Sequence, residues 1–130
     1  MAVTPEPQPG TAARMLGDIA PKLAELTDEV LFGDVWARPG LSARDRSLIT
    51  VAALVALQRT EQLGAHLHIG LHNGLSPEEI TEAVTHLAFY AGWPTAFSAV
   101  GQLRTVLGEH KRAHDAGLDD EPFAAEAAVG

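Results

Sequence analysis

With 130 residues, 46% of them hydrophobic, the chain has the size of one folded domain and enough apolar material to build a core. Nine basic residues against seventeen acidic give a net charge of −8, a poor balance for grasping a phosphate backbone, so nucleic acid is not an expected partner. Cysteine is absent, which excludes disulfides, thiolate nucleophiles, thiol redox cycles and cysteine-ligated metal clusters.

Residues 1–10 carry three prolines and a glycine and read as a loose arm. No basic start or apolar core marks a secretory signal there, and no apolar run approaches the roughly 18 residues of a membrane span. A cytoplasmic protein without a membrane partner is the expectation. From Thr11 to about Val35 the chain has helical character, with Pro21 in a first turn and Leu23, Leu26, Val30 and Leu31 forming an apolar stripe. Pro39-Gly40 makes residues 36–40 a turn.

Ser42 to Leu57 is the clearest helix, opened by a Ser42/Asp45 capping pattern. Its LITVAALVAL run is apolar nearly all round and needs cover on most sides, which suggests a subunit interface as well as a core. Thr60 is the expected cap of a helix reaching His72, stopped by Asn73-Gly74. Ser76, Pro77, Glu78 and Glu79 start the next, which Gly92 ends. A last helix begins at Trp93-Pro94 and runs through Leu107 toward His114. The tail from Asp115 holds five acidic residues and no basic one, as a solvated end would. Strand alternation and glycine-rich phosphate loops are absent. The expected class is all-α, five to six helices, with the domain at residues 11–114, the arm at 1–10 and the acidic tail at 115–130.

Four of the six histidines fall between residues 66 and 86. His68 and His72 are four apart and share a helix face; a metal site would need them with a third ligand such as Glu61 or His86. No metal is assigned on that pair alone, and solvent-facing or interface histidines are the simpler account. His66 points about 160° away from His68. Near Glu61 and Gln62, it could be held by a carboxylate and exchange a proton near pH 7, or be a partly buried histidine with a satisfied hydrogen bond. His86 and Tyr90 form a second i, i+4 pair, and with Trp93 they suit an apolar pocket with a polar handle, whereas Phe89 and Phe97 read as core. Arg44 and Arg46 stand in the first turns of a helix, unfavourably for a cation. Each needs a carboxylate, from Asp45, Glu29, Asp34 or a ligand.

The segments GDVWARPGLSARDRSLITVAALVAL and RTEQLGAHLHIGLHNGLSPEEITEAVTHLAFYAGWPTAFSAV together resemble the carboxymuconolactone decarboxylase family, within the alkylhydroperoxidase-D-like proteins. The resemblance runs from about Leu16 to Leu107. It implies an all-α, alkylhydroperoxidase-D-like fold assembled as a homotrimer or a hexamer of trimers. The peroxidase branch carries a CxxC pair whose second cysteine lies four residues before a histidine; here the histidine falls at His66 and the sulfur positions at Arg59 and Gln62. A thiol peroxidase is thereby excluded.

The decarboxylase branch works without cysteine, metal or organic cofactor, so the resemblance implies none here. It implies His66 as acid/base, with Glu29 orienting an imidazole or water, and Arg46 and Trp36 as substrate-binding positions. His68 stands where that branch commonly has Arg, and His72 replaces one of two Asn; neutral His is a weaker carboxylate anchor than Arg. With His86, Trp93 and His68 added to the substrate pocket, the implied function is decarboxylation of a small carboxylated lactone or related enolisable acid. The alternative is a family member that binds a small molecule without turning it over.

Overall fold

The computed structural model describes residues 10–117, and among these every regular element is helical. Helix α1 spans Thr11–Leu16, and α2 spans Pro21–Glu25 and runs on as a π-helical stretch, Leu26–Phe32. A 3₁₀ turn, Val35–Ala37, leads into α3 (Ala43–Ala56), α4 (Thr60–His72), α5 (Pro77–Ala91) and α6 (Trp93–Asp115). The expected count and class hold. Residues 1–9 of the arm and 118–130 of the tail lie outside the described part.

Local chemistry explains most boundaries. Ser42 Oγ accepts the Asp45 amide at 3.0 Å, so the cap of α3 stands. At α5 the box is complete: the Glu79 amide donates to Ser76 Oγ and the Ser76 amide donates to Glu79 Oε1, at 3.0 and 2.9 Å. Gly74 and Gly92 both adopt φ near 104°, a conformation that side-chain-bearing residues avoid, and each stops a helix there. Thr60 departs from expectation. Arg59 holds the cap position of α4 and no side chain caps it, because Thr60 has already entered the helix as its first residue. The helical stretch expected to about Val35 comes in pieces: Gly17 closes α1, and Pro21 starts α2 from its first turn.

Helices α3 to α6 pack on one another around Val51, Val55, Leu63, Leu67, Ile80, Val84, Leu103 and Val106. Helix α4 packs on α3 and α6 and is buried continuously from Ala65 to Gly70. His66 and His68 point apart and are both buried, His66 against Trp36 and His68 against Glu109 of α6. Arg44 at the start of α3 pairs with Glu79 at the start of α5, and with Asp45 beside it.

The N-terminal elements pack among themselves, and their principal link to the four-helix body is the 3₁₀ turn against α3. Asp28 holds α1 in place by accepting the Ala12 and Ala13 amides at 2.8 and 3.1 Å. The Leu23, Leu26, Val30 and Leu31 stripe stays exposed in the single chain. Phe89 and Phe97, expected in the core, are each 73% exposed, because Val84, Ala88, Ala96 and Ala99 take the inner positions of α5 and α6.

Candidate active site

The 3₁₀ turn Val35–Ala37 carries Trp36. Its indole is buried and lies over the His66 imidazole, ring centroids 6.2 Å apart and planes 25° from parallel. Phe32, the last residue of the π-helical stretch, continues the row at 6.0 Å from Trp36. Arg46, in the second turn of α3, shares with Trp36 a pocket of about 180 Å³ completed by Val35, Leu41, Ile49 and Thr50. Trp36 thus adjoins two other expected site residues, stacking on His66 and sharing a pocket with Arg46.

The polar atoms of this cluster are incompletely used. Arg46 Nη2 donates to the Arg38 carbonyl at 3.1 Å, which fixes the guanidinium against the chain entering α3. Its Nε is buried and has no hydrogen-bond partner, and no carboxylate pairs with it among the described residues. His66 Nδ1 is likewise buried and unpartnered, and neither Glu61 nor Glu29 bonds to the ring. Burial pushes the His66 imidazole below the ordinary 6.5 by penalising its charged form, so the ring is neutral at pH 7. A buried donor and a buried imidazole nitrogen, each left without a partner, are costly unless a ligand uses them.

Glu29 lies on the π-helical stretch and is exposed. It lines an adjoining open cleft of about 850 Å³ with Glu25, Asp28, Phe32 and Ala37. Phe32 belongs to this cleft and to the ring row, so the cleft and the Trp36–His66 stack adjoin through it.

The remaining expected residues sit elsewhere. His68 faces α6, where its Nε2 is 3.1 Å from Glu109 Oε1 and its ring 6.2 Å from that of His110. His86 is exposed and stacked on Tyr90 at 5.0 Å, as the i, i+4 spacing suggested. Trp93 is half-exposed and meets Phe89 edge-on at 5.1 Å. The structure does not join these three to the Trp36–His66 stack. Among the described residues no group of three His, Asp or Glu is arranged to hold a metal ion. Two neighbours of the expected residues escaped the sequence reading. Phe32 carried a usable signal, four residues before Trp36; Glu109, forty-one residues from His68, carried none.

The fold and this cluster define a cysteine-free member of a known helical class, and comparison with known proteins agrees. The carboxymuconolactone decarboxylase family profile matches residues 21–105, and the chain belongs to that family. Over 92 residues it is 36% identical to a 4-carboxymuconolactone decarboxylase of Acinetobacter baylyi, covering 71% of this chain and 69% of that protein. Over 94 residues it is 36% identical to a nitrosuccinic acid decarboxylase of Metarhizium robertsii, covering 68% of this chain and 66% of that protein. Glu29, Trp36, Arg46 and His66 all fall inside the family match.

Proposed function

We propose that this chain is a decarboxylase of small, activated carboxylic acids, with His66 as its proton donor. The observation that carries the reading is the buried His66 imidazole under Trp36, with Nδ1 unpartnered and the unpaired Arg46 Nε beside the same indole. Both named relatives are decarboxylases, which supports the reaction class.

The chemistry follows from charge. The substrate's carbon–carbon bond breaks, carbon dioxide leaves, and the electron pair stays on carbon, spread onto a neighbouring acceptor such as a conjugated lactone carbonyl. That negative charge must be stabilised and then quenched by a proton. Arg46 suits the acceptor oxygen or a second carboxylate. It does not suit the departing carboxylate, whose charge has to drain away and which a cation would stabilise in the ground state.

Neutral in the free protein, His66 gains proton affinity when an anion binds beside it. The imidazolium so formed gives its proton to carbon, and solvent restores it. Trp36 and Phe32 supply the apolar wall that keeps these charges interacting strongly. Glu29, at the mouth of the adjoining cleft, orients water or the imidazole once substrate fills the space. His68, held by Glu109, fastens α4 to α6 in this reading and leaves substrate binding to Arg46. The assembled form is a homo-oligomer, supported by the apolar side chains that α1 to α3, α5 and α6 leave exposed.

The test is to incubate purified protein with 4-carboxymuconolactone and with nitrosuccinic acid, following substrate loss and carbon dioxide release. Turnover of either supports the reaction class. Binding to both without carbon dioxide release would instead support a small-molecule-binding member of the family.

A further inference from the structure

A third cavity, away from Trp36 and His66, lies where the end of α3 meets the starts of α4 and α6. Its volume is about 220 Å³, room for roughly seven water molecules at ~30 Å³ each. Gln58, Thr60, Thr95 and Ser98 give it four polar side chains, against the apolar Leu54, Val55, Leu63 and Ala99.

Two features make this more than a gap in packing. Helices α4 and α6 both open without a side-chain cap, whereas Ser42 and Ser76 cap α3 and α5. Thr60 is the first residue of α4 and Thr95 the third of α6, so both starting amides that flank the cavity lack an intrahelical acceptor. Independently, Thr95 is only 8% exposed, and neither its hydroxyl nor its amide has a hydrogen-bond partner. The threonines at 27, 50, 81, 85 and 105 all return their hydroxyls to the carbonyl four residues earlier. Thr95 does not, and its side chain lines the cavity instead.

On the α3 side the carbonyls are already spent. The Arg59 amide donates to Leu54 O at 2.9 Å and the Gln58 amide to Val55 O at 3.0 Å. Gln58 itself takes a left-handed φ of 58°, unusual for a side-chain-bearing residue, in the turn beside the cavity. The cavity therefore offers unused donors: two helix-start amides, hydroxyls and a carboxamide, with the positive ends of two helix dipoles adding to them.

We propose that this cavity binds a small oxyanion, of the size of phosphate, bicarbonate or a carboxylate group, with Thr95 as its central donor. Inorganic phosphate and bicarbonate are separate probes, added to ¹⁵N-labelled protein at constant ionic strength, with chloride as the reference salt. Saturating shifts of the Thr60 and Thr95 amides are expected with at least one of them and not with chloride. Stronger saturation by bicarbonate would point to the hydrated product of decarboxylation, and by phosphate to a phosphorylated metabolite. Thr95→Val should weaken binding at least tenfold, while Thr95→Ser and the distant His66→Ala keep it within about twofold. Shifts that grow linearly for both probes, or equal binding by Thr95→Val and wild type, would overturn the proposal. Should Thr95→Val not fold, Ser98→Ala replaces it, with a threefold or greater loss expected and no loss overturning the proposal.

Discussion

The neutrality of His66 is a statement about stability as well as chemistry. Its unfolded value is the ordinary 6.5 and burial holds the folded one lower. Between the two, the unfolded chain binds the extra proton, so folding stability rises with pH across that interval. The stability is complete above 6.5 and is lost as pH falls from there through the folded value. Melting temperatures between pH 7.5 and 5 should therefore fall more steeply for wild type than for His66→Gln, which cannot titrate; parallel curves would contradict the burial argument. Arg46→Gln would remove the charge-assisted hydrogen bond proposed to the substrate, worth about 1.5–3 kcal/mol, so kcat/KM should drop roughly 10- to 100-fold. At this scale the sequence was informative about residue type and poor about partners. His66, Arg46 and Trp36 were picked out by the family resemblance, and the structure sets Trp36 against His66 and beside Arg46. Neither alternative read for His66, a carboxylate partner or another satisfied hydrogen bond, holds at Nδ1, because helical proximity to Glu61 and Gln62 does not decide which way an imidazole turns. His68 found its carboxylate on another helix, a contact that no local pattern encodes.

At the level of elements, polar groups at helix ends decide what holds the site. Ser76→Ala breaks the capping box of α5 and should cost about 1 kcal/mol in denaturant unfolding. Asp28 has a more local task. Helix α1 has six residues, too few to persist alone, and the Asp28 carboxylate is what satisfies its first amides. Asp28→Ala should therefore free α1, raising hydrogen exchange at Ala12 and Ala13 while the α3–α6 amides stay protected. Uniform exchange changes would show that the N-terminal elements and the four-helix body open together. Helix ends marked by serine, proline and glycine were legible in the sequence, since each acts through its own backbone. The π-helical stretch and the 3₁₀ turn were not. They carry the Phe32–Trp36–His66 row, in which the Trp36–His66 contact links residues that no local pattern pairs.

For the whole molecule, the class and the four packed helices followed from apolar periodicity, while the destination of the surplus apolar surface did not. Phe89, Tyr90, Trp93 and Phe97 form an exposed aromatic strip on α5 and α6, and Ile49 and Leu57 stand exposed on α3. A single chain offers nothing to cover them, which is why aromatic residues expected in the core lie outside it. Sedimentation should show an assembly larger than a monomer, and Phe97→Asp should shift it toward smaller species; a monomeric wild type would contradict the assembly. The account as a whole rests on His66 acting as the proton donor from within its buried stack. The most direct measurement is the rate of carbon dioxide release from 4-carboxymuconolactone by wild type and by folded His66→Ala, side by side. A loss of 10²- to 10⁴-fold in kcat, of the order that general acid catalysis supplies, is the predicted result. Equal rates in the two proteins would place the chemistry elsewhere.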